Sequence, residues 1–160
     1  MKTIAIVQAR MGSSRLPGKV MKPIDGVPMI ELLLKRLARS EEVDQIVVAT
    51  SIDKRNLPLA EHVKKLGFAC ELGSEHDVLE RYLTAARAHA ADVIVRITGD
   101  CPLVDAALVD EMIRSYRNAD VDYFSNCSPP TFPDGLDIEV FSADALERSA
   151  AMTSSAYDHE

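Results

Sequence analysis

The chain has 160 residues, 47% of them hydrophobic, which suits one compact domain with its own core. Its formal net charge of −7 argues against a general nucleic-acid coat or a protein of membrane surfaces. Its apolar runs stay far below the ~20 residues that a membrane span needs, and the N-terminal run is too short for a signal peptide. We therefore expect a cytoplasmic protein that binds neither nucleic acid nor a membrane.

Three cysteines, Cys70, Cys101 and Cys127, lie far apart and form no CxxC pair. This spacing disfavours both a zinc site and a disulfide framework. The simplest interpretation is that each of them is a small buried side chain.

Hydrophobic periodicity predicts strands and helices in alternation from the first residues to about Asp120. In chain order we predict a strand at 3–8, a loop at 11–26, a helix at 28–39, a strand at 45–50, a helix at 57–66, a strand at 68–72, a helix at 77–91, a strand at 93–98, a helix at 105–117 and strands at 123–125 and 138–141. Such alternation is typical of a mostly parallel sheet with helices on both faces. We therefore predict a Rossmann-like, three-layer α/β/α fold that forms a single domain over residues 1–160.

Residues 8–19, which we call the first loop, concentrate cations, hydroxyls and glycines just after the first strand. The residues of interest are Arg10, Gly12, Ser13, Ser14, Arg15, Gly18 and Lys19. In open α/β sheets the ligand lies beyond the carboxyl ends of the strands. Backbone N–H groups and cations placed there suit a triphosphate. The alternative is an ordinary basic surface loop.

Two common phosphate motifs are excluded. Five residues separate Gly12 from Gly18 where the Walker motif has four, and Val20 stands in place of its hydroxyl residue. The dinucleotide fingerprint GxGxxG is absent. The chain is therefore neither a P-loop ATPase nor a standard NAD-binding protein.

Three acidic residues are candidates for metal or substrate binding. Asp100 follows the strand at 93–98, and a carboxylate in that position can hold Mg²⁺; the alternative is a turn or helix-capping aspartate. Asp137 and Glu139 alternate along a predicted strand, so we expect them on one face. They could complete a metal site, bind sugar hydroxyls, or simply lie on an exposed strand face.

The first loop resembles the motif of a known enzyme family. The run QARMGSSRLPGK at residues 8–19, followed by Lys22-Pro23-Ile24 and Gly26-Val27-Pro28-Met29, is similar to that of the sugar cytidylyltransferases. This family includes acylneuraminate and 3-deoxy-manno-octulosonate cytidylyltransferases, and the chain is most similar to its spore coat polysaccharide branch. The resemblance implies a Mg²⁺-dependent enzyme that converts CTP and a sugar or sugar acid into a CMP-sugar and pyrophosphate.

The resemblance also implies roles for individual residues. Arg10 and Lys19 would neutralise charge at the attacked α-phosphate, and Asp100 would hold the metal. The implied nucleotide contacts are Gln8, Ala9, Arg10, Gly12, Ser13, Ser14, Arg15, Lys19, Thr50, Ser74 and Arg81. Ser74, together with Asp77, could instead form a variant of the helix capping box.

The family members are usually dimers and usually extend past the equivalent of Glu160. We therefore expect a homodimer, and a chain that lacks the C-terminal part of the family domain. Two other hypotheses stay open: a domain that binds a nucleotide without turnover, and a nucleotidyltransferase that uses a different triphosphate.

Overall fold

The structure is a computed structural model that describes residues 1–13 and 15–153. Strands and α-helices alternate along most of these residues. In chain order they are β1 (Thr3–Gln8), β2 (Pro23–Ile24), β3 (Val27–Pro28), α1 (Met29–Leu37), β4 (Gln45–Ser51), α2 (Leu57–Lys65), β5 (Ala69–Gly73), α3 (Val78–Ala88), β6 (Val93–Thr98), α4 (Ala106–Asn118), β7 (Tyr123–Ser125), β8 (Glu139–Ser142) and α5 (Ala143–Met152), with 3₁₀ turns at Lys19–Met21 and Lys54–Asn56.

The main sheet has the strand order β5-β4-β1-β6-β8-β7. β5, β4, β1 and β6 run parallel, whereas β8 is antiparallel to β6 and β7 is antiparallel to β8. β1 lies between two parallel neighbours and is covered on both faces, so Ile4, Ala5, Ile6 and Val7 are fully buried. The predicted mostly parallel sheet is confirmed.

Helices cover both faces of this sheet. Leu33 of α1, Leu59 of α2 and Ile113 of α4 belong to one hydrophobic cluster. Tyr82 of α3 and Leu146 of α5 belong to a second cluster on the opposite face. The predicted three-layer α/β/α architecture is therefore confirmed as well.

The strand order places a crevice between β1 and β6. From β1 the chain moves outward through β4 to β5, and then crosses back to β6 on the other side of β1. The connections that leave the carboxyl ends of β1 and β6 therefore diverge, and such switch points are where ligands bind in α/β sheets. The first loop and Asp100 follow these two strands directly.

Two elements depart from the prediction. A small antiparallel hairpin, β2–β3, lies where we expected loop and the start of a helix. Asp25 and Gly26 form its turn with φ angles of 49° and 79°, which two-residue hairpin turns require. Helix α5 was not predicted; Ser142 caps it by accepting a hydrogen bond from the Ala145 N–H.

Among the described residues, no helix is both long enough and apolar enough to cross a membrane. The cysteines fit the simple interpretation in part: Cys70 and Cys101 are buried, Cys127 is half-buried, and all three are free thiols.

Candidate active site

A cavity of about 280 Å³, which we call the loop cavity, lies where the first loop meets the carboxyl end of β6. It brings seven of the sequence-predicted site residues together with four others. Its lining consists of Gln8, Ala9, Arg10, Ser13, Arg15, Lys19, Val20, Arg96, Thr98, Gly99 and Asp100. Ser14 was also predicted to bind phosphate, and it lies outside the described residues.

Main-chain groups at Met11 and Gly18 hold the first loop in place through hydrogen bonds. The Met11 N–H donates to Asn56 Oδ1 at 2.8 Å, and the Gly18 N–H donates back to the Met11 carbonyl at 2.9 Å. Gly18 has a φ of 69°, a backbone conformation that glycine adopts without strain. The bonds at Met11 therefore join Met11 to Gly18 and anchor Met11 beside the sheet; we call residues 11–18 the arch.

Lys19 and Asp100 form an ion pair across the crevice. Lys19 Nζ lies 2.6 Å from Asp100 Oδ2, and this hydrogen bond is the main reason that the pKa of Asp100 is lowered from its usual value. Asp100 lies in the turn after β6 but does not cap α4, because Asp105 fills that position by accepting from the Leu108 N–H. The cation and the carboxylate predicted for catalysis thus face each other directly.

Gly99 allows the two strand ends to approach closely. A Cβ atom at this position would lie 2.7 Å from both the Ala9 Cβ and the Gln8 carbonyl oxygen, which is too close for any real side chain. The Gly99 N–H donates to that same carbonyl at 2.8 Å. Gly99 therefore sets the width of the crevice floor.

A second group of charges lies behind Arg10. Glu75 Oε1 is 3.5 Å from Arg10 Nη1, and Ser51 donates a hydrogen bond to the other Glu75 oxygen. Arg81 is only 3% exposed and donates to the main-chain carbonyls of Ser74 and Glu75. Burial, and then the nearby Arg10 charge, lower the pKa of Arg81.

Ser74 has a local structural role in addition to the predicted one. Its hydroxyl accepts from the Asp77 N–H at 3.1 Å, and Asp77 in turn caps α3 by accepting from the Glu80 N–H. The capping alternative is therefore present in the structure. Because Ser74 and Arg81 lie behind Glu75, outside the loop cavity, their roles in nucleotide binding remain predictions.

Some buried polar atoms near the crevice have no hydrogen-bond partner among the described residues. They include Gln8 Oε1 and Arg81 Nε, both on predicted nucleotide-binding residues. Buried polar atoms are almost always paired, so unpaired ones beside a cavity are what a polar ligand would complete. Gln8 lines the loop cavity directly.

Thr50 Oγ1 is also unpaired, but Thr50 does not line the loop cavity, so its role in nucleotide binding remains a prediction. Val48 packs into the cluster of α1 and α2. Side chains alternate along a strand, so Thr50 faces the same side as Val48, and Ser51 faces the side of α3. Ser51, rather than Thr50, is the β4 residue that contacts the charges behind Arg10.

The prediction that Asp137 and Glu139 share one strand face is wrong. β8 begins only at Glu139; just before it, the Ile138 N–H donates to the Asn126 side chain rather than to a main-chain carbonyl. Asp137 lines a large cavity of about 980 Å³ that shares Thr98 and Asp100 with the loop cavity. Glu139 instead accepts a hydrogen bond from Arg96 and lines a groove between α3 and α5.

The sequence analysis did not identify four residues that shape this site. They are Ser51, Asn56, Glu75 and Arg96. Arg96 had a usable signal, because a charge inside a run of buried β-branched residues is unusual. Asn56 and Glu75 lie in short polar connections whose letters carry no such signal.

The donor set suits Mg²⁺ held jointly with a phosphate ligand. Among residues 1–13 and 15–153, no group of three or more acidic, histidine or cysteine side chains could hold a metal alone. Mg²⁺ commonly takes one or two protein carboxylates and completes its shell with substrate phosphates and water. Asp100, beside the cations of the first loop, could supply one such carboxylate.

Comparison with known proteins identifies the family. A family model described as cytidylyltransferase matches residues 4–157. The chain belongs to the cytidylyltransferase family.

Individual relatives agree with this assignment. The chain is 38% identical over 145 residues to the spore coat polysaccharide biosynthesis protein SpsF of Bacillus subtilis, which covers 88% of the chain and 59% of the relative. It is 36% identical over 115 residues to a 3-deoxy-manno-octulosonate cytidylyltransferase of Geobacter sulfurreducens, and this match covers 71% of the chain and 44% of the relative. A solved cytidylyltransferase from Leptospira borgpetersenii superposes with a TM-score of 0.95 at 37% identity, covering 100% of the chain and 68% of that structure. The chain thus spans less than two thirds of the length of these two curated relatives.

The close approach at Gly99 predicts that Gly99→Ala destabilises the fold by about 1–3 kcal/mol, because the new Cβ must displace main chain. Gly12→Ala is the matched control, since the nearest atom to its added Cβ is 3.5 Å away. Urea unfolding measures both, and we expect Gly12→Ala to stay within about 0.5 kcal/mol of the wild type. Equal losses in the two variants would contradict the close approach.

The Lys19–Asp100 ion pair predicts that Lys19→Met raises the pKa of Asp100 toward 3.8, because the hydrogen bond from Lys19 is the largest cause of its depression. A carboxyl group with a depressed pKa stabilises the fold above its unfolded pKa, and this stabilisation is lost as pH falls through its folded pKa. A carbon-13 NMR titration of the Asp100 carboxyl measures the shift. Lys22→Met, at an exposed neighbouring lysine, is the control and should leave this pKa unchanged.

Proposed function

We propose that this chain is the nucleotide-binding domain of a Mg²⁺-dependent cytidylyltransferase that converts CTP and a sugar or sugar acid into a CMP-sugar and pyrophosphate. The observation that carries the proposal is the loop cavity, where Arg10, Arg15 and Lys19 share one lining with Asp100. Three cations facing one carboxylate suit a triphosphate that brings a divalent metal with it. The names of the relatives support cytidine as the base and surface polysaccharide as the destination.

The first loop binds the triphosphate in this proposal. Ser13 and the loop backbone donate hydrogen bonds, Gly12 lets the main chain approach, and Arg10 and Lys19 neutralise charge at the α-phosphate. Gln8 and Ala9, at the end of β1, lie beside the base. The unpaired Gln8 Oε1 then accepts a hydrogen bond from a ligand donor.

The reaction is an in-line substitution at phosphorus. A sugar hydroxyl oxygen forms a bond to the α-phosphorus, the bond from that phosphorus to pyrophosphate breaks, and the hydroxyl proton is released to solvent. The protein contributes positioning and charge neutralisation, which is most of what such transfers need. Bound at Asp100, Mg²⁺ would supply Lewis-acid stabilisation of the phosphate oxygens.

The sugar is proposed to lie in the large cavity beside Asp100. That cavity shares Thr98 and Asp100 with the loop cavity, so an acceptor held there borders the reacting phosphate. Asp137 lines it and would bind sugar hydroxyls or a metal-bound water. Glu139 is already paired with Arg96, so a substrate contact for it requires that this pair opens.

The activity is a proposal for the whole protein, since the chain spans only part of its curated relatives. A single domain over residues 1–160, a homodimer and a cytoplasmic location remain predictions from the sequence. The alternative hypothesis is nucleotide binding without turnover.

Nucleotide preference tests the base assignment. We expect CTP with Mg²⁺, at about 100 times its Kd, to stabilise the protein by about 2.7 kcal/mol and to raise Tm by roughly 5–10 °C. UTP, GTP and ATP under the same conditions should give smaller shifts. A larger shift with a purine triphosphate would overturn the cytidylyl assignment.

Substitution of the carboxylate tests turnover. Asp100→Asn should lower pyrophosphate release from CTP and acceptor sugars at least about 100-fold, because the metal loses its charged ligand. Circular dichroism checks that the fold is retained, and Asp120→Asn, at an exposed site beyond α4, is the matched control. Full activity in Asp100→Asn would exclude it as the metal ligand. CTP binding by a wild-type chain that releases no pyrophosphate would instead favour the binding-only alternative.

A further inference from the structure

One buried side-chain amide contacts the first loop from the turn that follows β4. Asn56 is 2% exposed and ends the 3₁₀ turn that follows β4. Its Oδ1 accepts from the Met11 N–H at 2.8 Å, and its Nδ2 donates to Ser51 Oγ at 2.6 Å. Asn56 therefore ties the loop backbone to the end of β4.

The same chain of hydrogen bonds continues to a cation of the loop. The Ser51 hydroxyl donates a hydrogen bond to Glu75, whose other carboxylate oxygen lies 3.5 Å from Arg10 Nη1. Asn56 thus acts on two parts of the loop: directly on its backbone at Met11, and through Ser51 and Glu75 on the Arg10 side chain.

Met11, which Asn56 holds, also contacts Gly18 at the other end of the arch. Its carbonyl accepts from the Gly18 N–H at 2.9 Å, and its Cε atom lies 3.3 Å from the position of a Cβ on Gly18. Met11 and Gly18, the first and last residues of the arch, are therefore in direct contact. A shift of Met11 away from the sheet would move the whole arch.

The chemistry of this position requires an amide. Met11 offers a donor and needs an acceptor, whereas Ser51 donates its only hydrogen to Glu75 and can only accept from Asn56, as it also does from the Asp53 N–H at 3.3 Å. Asparagine supplies one of each from a single short side chain. Aspartate would lack the donor, and an aliphatic residue would lack both.

We propose that Asn56 is a positioning residue for nucleotide binding: it fixes the arch at 11–18 and, through Ser51 and Glu75, the direction of Arg10. This inference rests on the proposed function, since it takes a triphosphate as the ligand of the loop. Without Asn56 the Met11 N–H loses its partner and the arch populates other conformations. Affinity then falls in proportion to the fraction of molecules that keep the binding conformation.

The test compares Asn56→Ala with Asp110→Ala in the full chain. Asp110, in α4, is a matched control because it is also buried and also accepts several hydrogen bonds. Its donors include Ser40 Oγ at 2.5 Å and the Glu42 N–H at 3.1 Å, which lie in the connection between α1 and β4 and not in the first loop. Two quantities are measured: amide hydrogen exchange of peptides covering residues 11–18 without nucleotide, and the Kd for CTP with Mg²⁺ by calorimetry. Tm is recorded for both variants.

We expect Asn56→Ala to speed exchange in the arch and to weaken CTP binding about tenfold or more. Asp110→Ala should lower Tm while leaving arch exchange and Kd within about twofold of the wild type. Ser51→Ala keeps the bond between Asn56 and Met11 but cuts the link to Glu75. It should leave arch exchange unchanged and weaken CTP binding about threefold.

Several results would overturn the proposal. A Kd for Asn56→Ala within twofold of the wild type excludes a positioning role, and so does an equal loss of affinity in Asp110→Ala. Should Asn56→Ala fail to fold, an unchanged affinity in Ser51→Ala overturns the link to Arg10. A wild-type chain that binds none of CTP, UTP, GTP and ATP overturns the proposed function and this inference with it, an outcome distinct from binding that is insensitive to Asn56.

Discussion

The burial of β1 from Thr3 to Val7 is the constraint on which the rest of the structure depends. A strand covered on both faces and paired in parallel on both edges can satisfy its backbone only through β4 and β6. The chain must then leave the sheet at its carboxyl edge, in the middle rather than at the side. The first loop starts there, and the turn after β6 ends beside it because Gly99 lets the two strand ends touch. The crevice is thus a consequence of how the core is packed.

The charges of the crevice are compensated locally in an otherwise acidic protein. Lys19 is paired with Asp100 and Arg10 with Glu75, so two of the loop cations face carboxylates from other elements. Both pairs are partly exposed, and such pairs typically contribute no more than about 1 kcal/mol. Their main effect is on geometry, because they hold the long, flexible side chains of Lys19 and Arg10 toward the crevice in the absence of a ligand. Arg81, buried nearby, adds a positive charge close enough to Arg10 for the two to repel each other.

The sequence predicts the features that depend on local patterns. The bounds of β1 and β6 match their predicted ranges because continuous β-branched runs are unambiguous, and the first loop was located because its residues are contiguous. Features set by tertiary contacts were missed. Asp137 lies outside β8, and the Ile138 N–H between it and Glu139 bonds to the side chain of Asn126, 12 residues away; strand alternation cannot predict such a contact. Asn56 acts through partners 45 and 5 residues away, so its role exists only in the folded chain.

In the proposed function, nucleotide binding at this crevice exchanges the partners of its charged side chains. A triphosphate that enters must take Lys19 from Asp100 and Arg10 from Glu75, and the freed Asp100 becomes available to a metal only when Lys19 has turned to phosphate. The broken pairs are weak because they are half-exposed, whereas hydrogen bonds from cations to a desolvated polyanion are roughly twice as strong as neutral ones. The exchange is therefore favourable for a triphosphate that brings a metal ion, because the phosphate replaces Asp100 as the partner of Lys19 and the metal replaces Lys19 as the partner of Asp100. A metal alone would leave Lys19 without a partner, and an anion without a metal would leave Asp100 without one. Phosphate binding by Lys19 and metal binding by Asp100 are therefore coupled, because both require that the Lys19–Asp100 ion pair opens.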